Sequence, residues 1–186
     1  MPDLFEEESE LAKKALYDHE AFAELYDCYF PRVYNFIFGR VMNRDVADDL
    51  ISEVFERIFV KIGTYNPERA KLSTWIFTIA SNIVADHFRK QIKCRQQPVD
   101  GLQELPSAQP GIEELLILEE NKRCLFESLS RLTDRERNII GLKFWARLTN
   151  REIARLTGES ENNVAVILYR AVRRLKDLMK NLSEDI

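Results

Sequence analysis

At 186 residues, 45% of them apolar and 31% charged, the chain can bury one sizeable core or two small ones. Its 27 Lys/Arg against 31 Asp/Glu leave a net charge of −4, which argues against a uniformly basic nucleic-acid binder but leaves room for a basic module within an acidic chain. Cys28, Cys94 and Cys124 are widely separated, show no C-x-x-C spacing and have only His19 and His87 for company, so no disulfide framework, metal site or other cofactor is expected.

Residues 1–19 read as an acidic N-terminal extension. Residues 1–20 hold two Lys/Arg against seven Asp/Glu, a net of −5, and the stretch from Met1 to Glu10 is unlike a secretory leader. No apolar run reaches bilayer-spanning length, so a soluble, cytoplasmic protein without membrane insertion is expected. A first helix is predicted from about Glu20 to Phe38, with Phe22, Leu25, Tyr26, Tyr29, Val33, Phe36 and Ile37 on a broad apolar face. Pro31 removes a backbone donor within it and predicts a kink or division near Phe30. A second helix, about Arg44 to Ile62, turns Val46, Leu50, Ile51, Val54, Phe55, Ile58, Phe59 and Ile62 inward. Its other side carries Asp45, Asp48, Asp49, Ser52, Glu53 and Glu56, which is either solvated surface or a docking face for a basic partner.

After a loop holding Tyr65, Asn66 and Pro67, a third helix is predicted with Ser73 as cap and Ile76, Ile79, Ala80, Ile83 and Val84 inward, together with His87, read as a satisfied edge histidine and not as a ligand or base. Its outward stripe is Thr74, Thr78, Ser81, Asn82, Ala85 and Arg89. Short hydroxyl and amide side chains let a nucleic-acid backbone approach, Arg89 and Lys90 add charge, and the aromatic loop offers faces on which unstacked bases can lie. Pro98, Gly101, Pro106, Pro110 and Gly111 then mark a linker, placed over residues 93–122 with its Pro/Gly-rich part at 93–111.

The last third reads as a helix-turn-helix. Thr133 with Glu136, and Thr149 with Glu152, are two capping boxes. A short helix with Ile153, Ala154 and Leu156 stops at Gly158, the residue best able to adopt a left-handed turn, and Ser160 caps a longer helix. That helix places Val164, Leu168, Ala171, Leu175 and Leu178 on one face and Asn162, Val166, Tyr169, Arg170 and Arg173 outward, with Asn163, Ala165 and Lys176 at the flanks. Asparagine amides suit adenine edges, a valine methyl suits thymine, and arginines suit phosphates. Residues 123–180 carry thirteen Lys/Arg against seven Asp/Glu, a net of +6, so basic charge is concentrated in this module. The expected fold class is all-α: two small helical domains joined by a flexible linker, the C-terminal one a helix-turn-helix. No catalytic constellation is visible, and a non-enzymatic protein is expected.

Four segments resemble the sigma-70 family of bacterial transcription initiation factors, in its extracytoplasmic-function (ECF) subgroup. These are AFAELYDCYFPRVY (21–34), DVADDLISEVFERIF (45–59), LSTWIFTIASNIVADHFRK (72–90), and LSRLTDRERNIIGLKFW with LTNREIARLTGESENNVAVILYRAVRRLK. The resemblance implies a region 2 over residues 20–92 and a region 4 over 123–182. It assigns Asp48, Asp49, Leu50, Glu53 and Phe55 to binding core RNA polymerase. Tyr65, Asn66, Trp75, Thr78, Ser81, Asn82, Arg89 and Lys90 would melt and hold the −10 promoter element, and Arg151, Ser160, Asn162, Asn163, Val166, Tyr169, Arg170 and Arg173 would read the −35 element. Implied partners are the clamp helices of the polymerase largest subunit and the beta flap, promoter DNA, and an anti-sigma factor.

Departures from the family pattern are Ser52, where glutamine is frequent, and Ala165, Val166 and Ile167, where a lysine, a serine and an arginine are frequent. Base readout is therefore expected to shift toward methyl contacts and toward Asn162, Asn163 and Arg170. Two rivals stand beside this reading: a DNA-binding regulator that never joins polymerase, and a protein-binding module whose helix-turn-helix no longer touches DNA.

Overall fold

The computed structural model describes residues 4–95 and 113–184, which form eight α-helices and one 3-10 turn, with no strand among the described residues. They are α1 (Leu4–Lys14), α2 (His19–Val41), α3 (Arg44–Lys61), the 3-10 turn Ile62–Thr64, α4 (Leu72–Arg95), α5 (Glu113–Ser130), α6 (Asp134–Phe144), α7 (Asn150–Thr157) and α8 (Glu161–Glu184). The greater part of the proposed linker, residues 96–112, lies outside the described residues; its last part, from Glu113, is already α5.

Local chemistry sets most helix ends. Asp18 accepts from the Glu20 amide at the start of α2, and Asn43 accepts from the Val46 amide at the start of α3. Both anticipated capping boxes are closed at α6 and α7, and Gly158 ends α7 at φ 74°. Ser160 Oγ accepts from the Asn163 amide at 3.2 Å and so starts α8.

Three local expectations are corrected. First, α2 runs without interruption through Pro31. Pro31 is exposed, as is Asp27 four residues earlier, so water can satisfy the carbonyl that loses its amide partner while buried Tyr29 and Val33 hold either side. Second, α4 starts at Leu72, with the Trp75 amide donating to the Lys71 carbonyl at 3.1 Å; Ser73 lies buried inside the first turn instead of capping it. Full burial of Leu72 draws the helix start forward. Third, Phe59 is half exposed, edge-on to Phe22 with ring centres 5.1 Å apart, whereas Ala47 takes a core position. His87 is half-buried against the Phe88 ring, at the rim of the inward face of α4, the edge position expected of it.

The N-terminal unit is α1 to α4. The acidic extension is not idle: Ala12 and Ala15 of α1 and its following turn are buried against α2, α4 and the 3-10 turn. Burial first, and then the nearby Glu8 carboxylate, push the Tyr29 and Tyr65 phenols above their ordinary range. On α2, Tyr26, Phe30, Tyr34 and Phe38 recur every fourth residue and stack at successive centroid distances of 5.1, 5.8 and 6.3 Å. The C-terminal unit, α5 to α8, closes around Leu129, Leu132, Ile140 and Ala171.

The two units share a core. Ile139, Leu142, Ala146, Leu148, Ile153, Ala154 and Val164 belong to the same buried cluster as Val33, Phe36 and Phe77. Helix α6 lies along α2, close enough that a Cβ on Gly141 would stand 2.8 Å from the Phe36 ring, and one on Gly39 would stand 2.7 Å from Trp145. Charge closes both ends of this contact. Arg40, 8% exposed, reaches Asp134 through Nε at 3.1 Å and Nη2 at 3.0 Å, and Asn138 through Nη1 at 2.5 Å, at the N-terminal end of α6. Arg32 donates to the Trp145 carbonyl at 2.9 Å and the Ala146 carbonyl at 3.1 Å, at the C-terminal end of α6, where a cation complements the helix dipole.

The first capping box carries a pH-dependent prediction. Burial alone would raise the Glu136 carboxyl, but hydrogen bonds from the Thr133 amide and hydroxyl, together with Arg174, outweigh it and hold the carboxyl below its ordinary value. A carboxylate depressed on folding contributes stability at neutral pH that is lost as the pH falls through its titration. Thr133→Ala should therefore cost about 1 kcal/mol near pH 7 and less below about pH 4 in thermal unfolding. An equal cost at both pH values would contradict the assignment.

Candidate nucleic-acid interface

Three surfaces carry the residues singled out by sequence. On α3, Asp48 and Asp49 are exposed and Glu53 is half-exposed, paired with Arg57 at 2.7 Å. Leu50 and Phe55 are buried beneath them, with Phe55 against the Tyr26 ring at 4.4 Å, so they support this face from below. Ser52 Oγ donates to the Asp48 carbonyl at 3.0 Å. The Tyr34 phenol, raised by burial and then by its hydrogen bond to Asp48, ties the aromatic ladder to the acidic rim.

On α4, Thr74, Thr78, Ser81 and Asn82 share one side of a cleft of about 360 Å³, as their spacing anticipates. Thr78 Oγ1 donates to the Thr74 carbonyl at 2.7 Å, Ser81 Oγ is buried with no hydrogen-bond partner among the described residues, and Asn82 is exposed. Tyr65 and Trp75 lie 5.8 Å apart with their planes tilted by 53°, forming an aromatic corner at the start of the helix. Asn66 Oδ1 accepts from the Glu68 amide at 2.8 Å and so shapes the loop. Arg89 pairs with Asp86, and Lys90 is exposed at the far end.

Sequence reasoning missed the cleft's other residues. Arg69 comes from the loop, and Glu152, Arg155 and Leu156 come from α7 of the other unit. Thr74 Oγ1 donates to Glu152 Oε1 at 3.3 Å across the gap. Glu152 is pushed up by burial but held lower overall by Thr149, Lys71 and Thr74. No periodicity within α4 or α7 announces this meeting. A signal for the inter-unit contact did exist, namely a lone arginine, Arg40, within the apolar run FIFGRVM.

On α8, Val164 is buried and Ile167 half-buried against the core, while Val166 is 45% and Tyr169 69% exposed. Asn162, Arg170 and Arg173 face solvent, as does Arg151 at the start of α7. Asn163 Nδ2 donates to Glu159 Oε2 at 2.7 Å, and Glu159 also pairs with Arg135 at 2.5 Å. Hydrogen bonds from Arg135 and Asn163 hold the Glu159 carboxyl below its ordinary value. Asn162 is consequently the asparagine presented outward.

Comparison with known proteins gives the family of the chain. Residues 25–93 match Sigma-70 region 2, and residues 122–175 match Sigma-70 region 4. The ECF RNA polymerase sigma factor SigX of Bacillus subtilis is 30% identical over 90% of this chain and 88% of its own length. The chain belongs to the ECF sigma factors. BldN of Streptomyces coelicolor, another ECF sigma factor, is 33% identical over 86% of this chain, which spans 61% of BldN's length. The fold is shared with RpoE of Bartonella quintana, solved with the anti-sigma factor NepR (TM-score 0.64, 21% identity, 86% of this chain and 96% of that one). It is likewise shared with CnrH, solved with the cytosolic domain of CnrY (TM-score 0.63, 19% identity, 94% and 97%). The region 2 match falls on α2 to α4, and the region 4 match on α5 to α8.

Region 4 yields the next prediction. Alanine at both Arg170 and Arg173 should weaken binding of promoter duplex and lower its salt slope by about 1 to 2. Fluorescence anisotropy over a salt series checks this, and an unchanged slope would remove both arginines from the phosphate contacts.

Proposed function

We propose that this ECF sigma factor binds core RNA polymerase and directs it to promoters by reading a −35 element with α8 and melting a −10 element with α4 and the Tyr65 loop. The observation carrying this reading is the separation of three chemistries on one chain: an acidic face on α3, an aromatic and hydroxyl stripe from Tyr65 to Asn82, and a cationic helix-turn-helix face on α8. The carboxylates of Asp48, Asp49 and Glu53 suit a basic protein surface, here the clamp helices of the largest subunit, with region 4 meeting the beta flap. The stripe suits a single strand: side chains of Thr78, Ser81 and Asn82 meet the backbone and base edges, while Tyr65 and Trp75 offer rings on which an unstacked base can lie. Arg89 and Lys90 hold phosphates at the far end. On α8, Val166 and Tyr169 give an apolar contact for thymine methyls, flanked by Asn162, Arg170 and Arg173. Chemistry stays with the polymerase, and the sigma factor contributes positioning and strand separation. No described helix is long and apolar enough to cross a membrane. Action beside polymerase places the protein in the cytoplasm. An anti-sigma factor is the expected regulatory partner.

Run-off transcription with purified core enzyme on the genes of the source cell tests this directly. The intact chain should yield discrete start sites. Lysine at both Asp48 and Asp49 should cut core binding by at least about tenfold, through two like-charge encounters, while leaving duplex DNA binding by region 4 in place. Wild-type core binding in that variant would favour a DNA-binding regulator that works without polymerase.

A further inference from the structure

The cleft of about 360 Å³ between the two units is lined by two arginines from opposite walls, Arg69 from the loop before α4 and Arg155 from α7. Neither guanidinium has a hydrogen bond or ion pair among the described residues. The one carboxylate in the lining, Glu152, is already served. Its Oε2 accepts from the Thr149 amide and hydroxyl at 2.7 Å each, and its Oε1 accepts from Thr74 Oγ1 at 3.3 Å. Lys71 lies near enough to balance its charge. Arg69 and Arg155 are thus left as two uncompensated cations bordering one space. Ser81, also in the lining, has a buried Oγ with no partner among the described residues, an orphan of the kind that a bound molecule satisfies.

We infer that this cleft binds a small phosphate monoester of mononucleotide size, held between region 2 and region 4. Its volume lies within the range of small-ligand sites and leaves room for one such molecule, not for a run of nucleotides. Two guanidinium groups offer forked, charge-assisted donors to phosphate oxygens. A monoester carries about −1.5 to −2 charges at neutral pH and so matches two cations, whereas each diester of a strand carries one. Ser81 Oγ supplies a hydroxyl donor, and the exposed Asn82 amide supplies the donor and acceptor that a base edge requires. Ala70 and Leu156, both half-buried in the lining, give apolar contact for a flat ring. Because the contacts come from both units, the ligand ties them together. The site stands independently of the −10 reading of α4, since it needs only the docked arrangement described above.

Calorimetric titration of the full chain at low salt tests this, with the 5′-monophosphates of adenosine, guanosine, cytidine and uridine and with inorganic phosphate as probes. At least one mononucleotide should bind one to one and more tightly than inorganic phosphate. Arg69→Ala and Arg155→Ala should each weaken it by about tenfold, the loss of a charge-assisted hydrogen bond; Arg155→Lys, which keeps the charge, should lose less. Both arginines are exposed, so these variants should fold. Ser81→Ala removes an orphaned buried hydroxyl, so it should weaken binding while leaving the melting temperature unchanged or higher, a split that a purely structural serine would not give. Saturating ligand should raise the melting temperature of wild type but not of Arg69→Ala/Arg155→Ala. Failure of all four mononucleotides to bind would overturn the inference, as would binding that survives the double arginine variant. Inorganic phosphate binding as tightly as every mononucleotide would remove the nucleoside-sized ligand. An oligothymidylate with hydroxyl ends distinguishes the other source of phosphate: if it depends on Arg69 and Arg155 and binds more tightly than any mononucleotide, those cations serve a strand and the proposed site falls.

Discussion

Much of this structure depends on one helix being gripped at both ends by its neighbour. Helix α6 offers an acidic side chain, Asp134, at its first residue and open carbonyls at its last turn, and α2 answers with Arg40 and Arg32 respectively. Both arginines lie over rings as well, Arg32 4.8 Å from the Tyr29 centroid and Arg40 5.6 Å from that of Phe88, so each guanidinium is ordered before it meets its partner. Between the two grips the surfaces approach closely, because Gly39 and Gly141 present no side chain where Trp145 and Phe36 must fit. The joint core of regions 2 and 4, and the position of α7 over α4, follow from that docking.

The same arrangement divides the molecule electrostatically. Carboxylates of α3 face outward on one side, while cations of α8 face outward elsewhere. A chain with net charge −4 can thus address a protein surface and a polyanion with separate faces. The aromatic ladder on α2 runs from Tyr26, against Phe55 under the acidic face, to Phe38, which meets Phe126 of region 4 edge-on at 4.7 Å. It is a packed seam connecting the acidic side of α3 with the α2–α6 contact.

Features set by neighbours in sequence were legible without coordinates. Both capping boxes, the left-handed Gly158 and the Ser160 cap depend on hydrogen bonds and backbone preferences spanning three or four residues, and each is found where its residues stand. Helix faces were legible for the same reason. The discrepancies arise where a distant partner weighs more than the local rule. Pro31 does not divide α2 because Tyr29, Val33 and Phe36 are anchored on either side, and Ser73 yields the helix start to Lys71 because Leu72 is pulled into the core. Phe59 stands half exposed at the border of the inward face of α3, edge-on to Phe22, while Val54 and Ile58 are fully buried.

The amino-acid order alone determined an all-helical chain, the division into two modules, the acidic, hydroxyl-rich and basic faces, and the family they resemble, since each is written in short-range periodicity and side-chain type. Only the tertiary structure decided that Arg40 and Asp134, ninety-four residues apart, would meet, and that Glu152 would rest on Thr74. Those pairings depend on the rigid-body docking of one preformed helical unit on another. Docking is chosen by complementary shape and charge across the whole interface, and no local spacing encodes it.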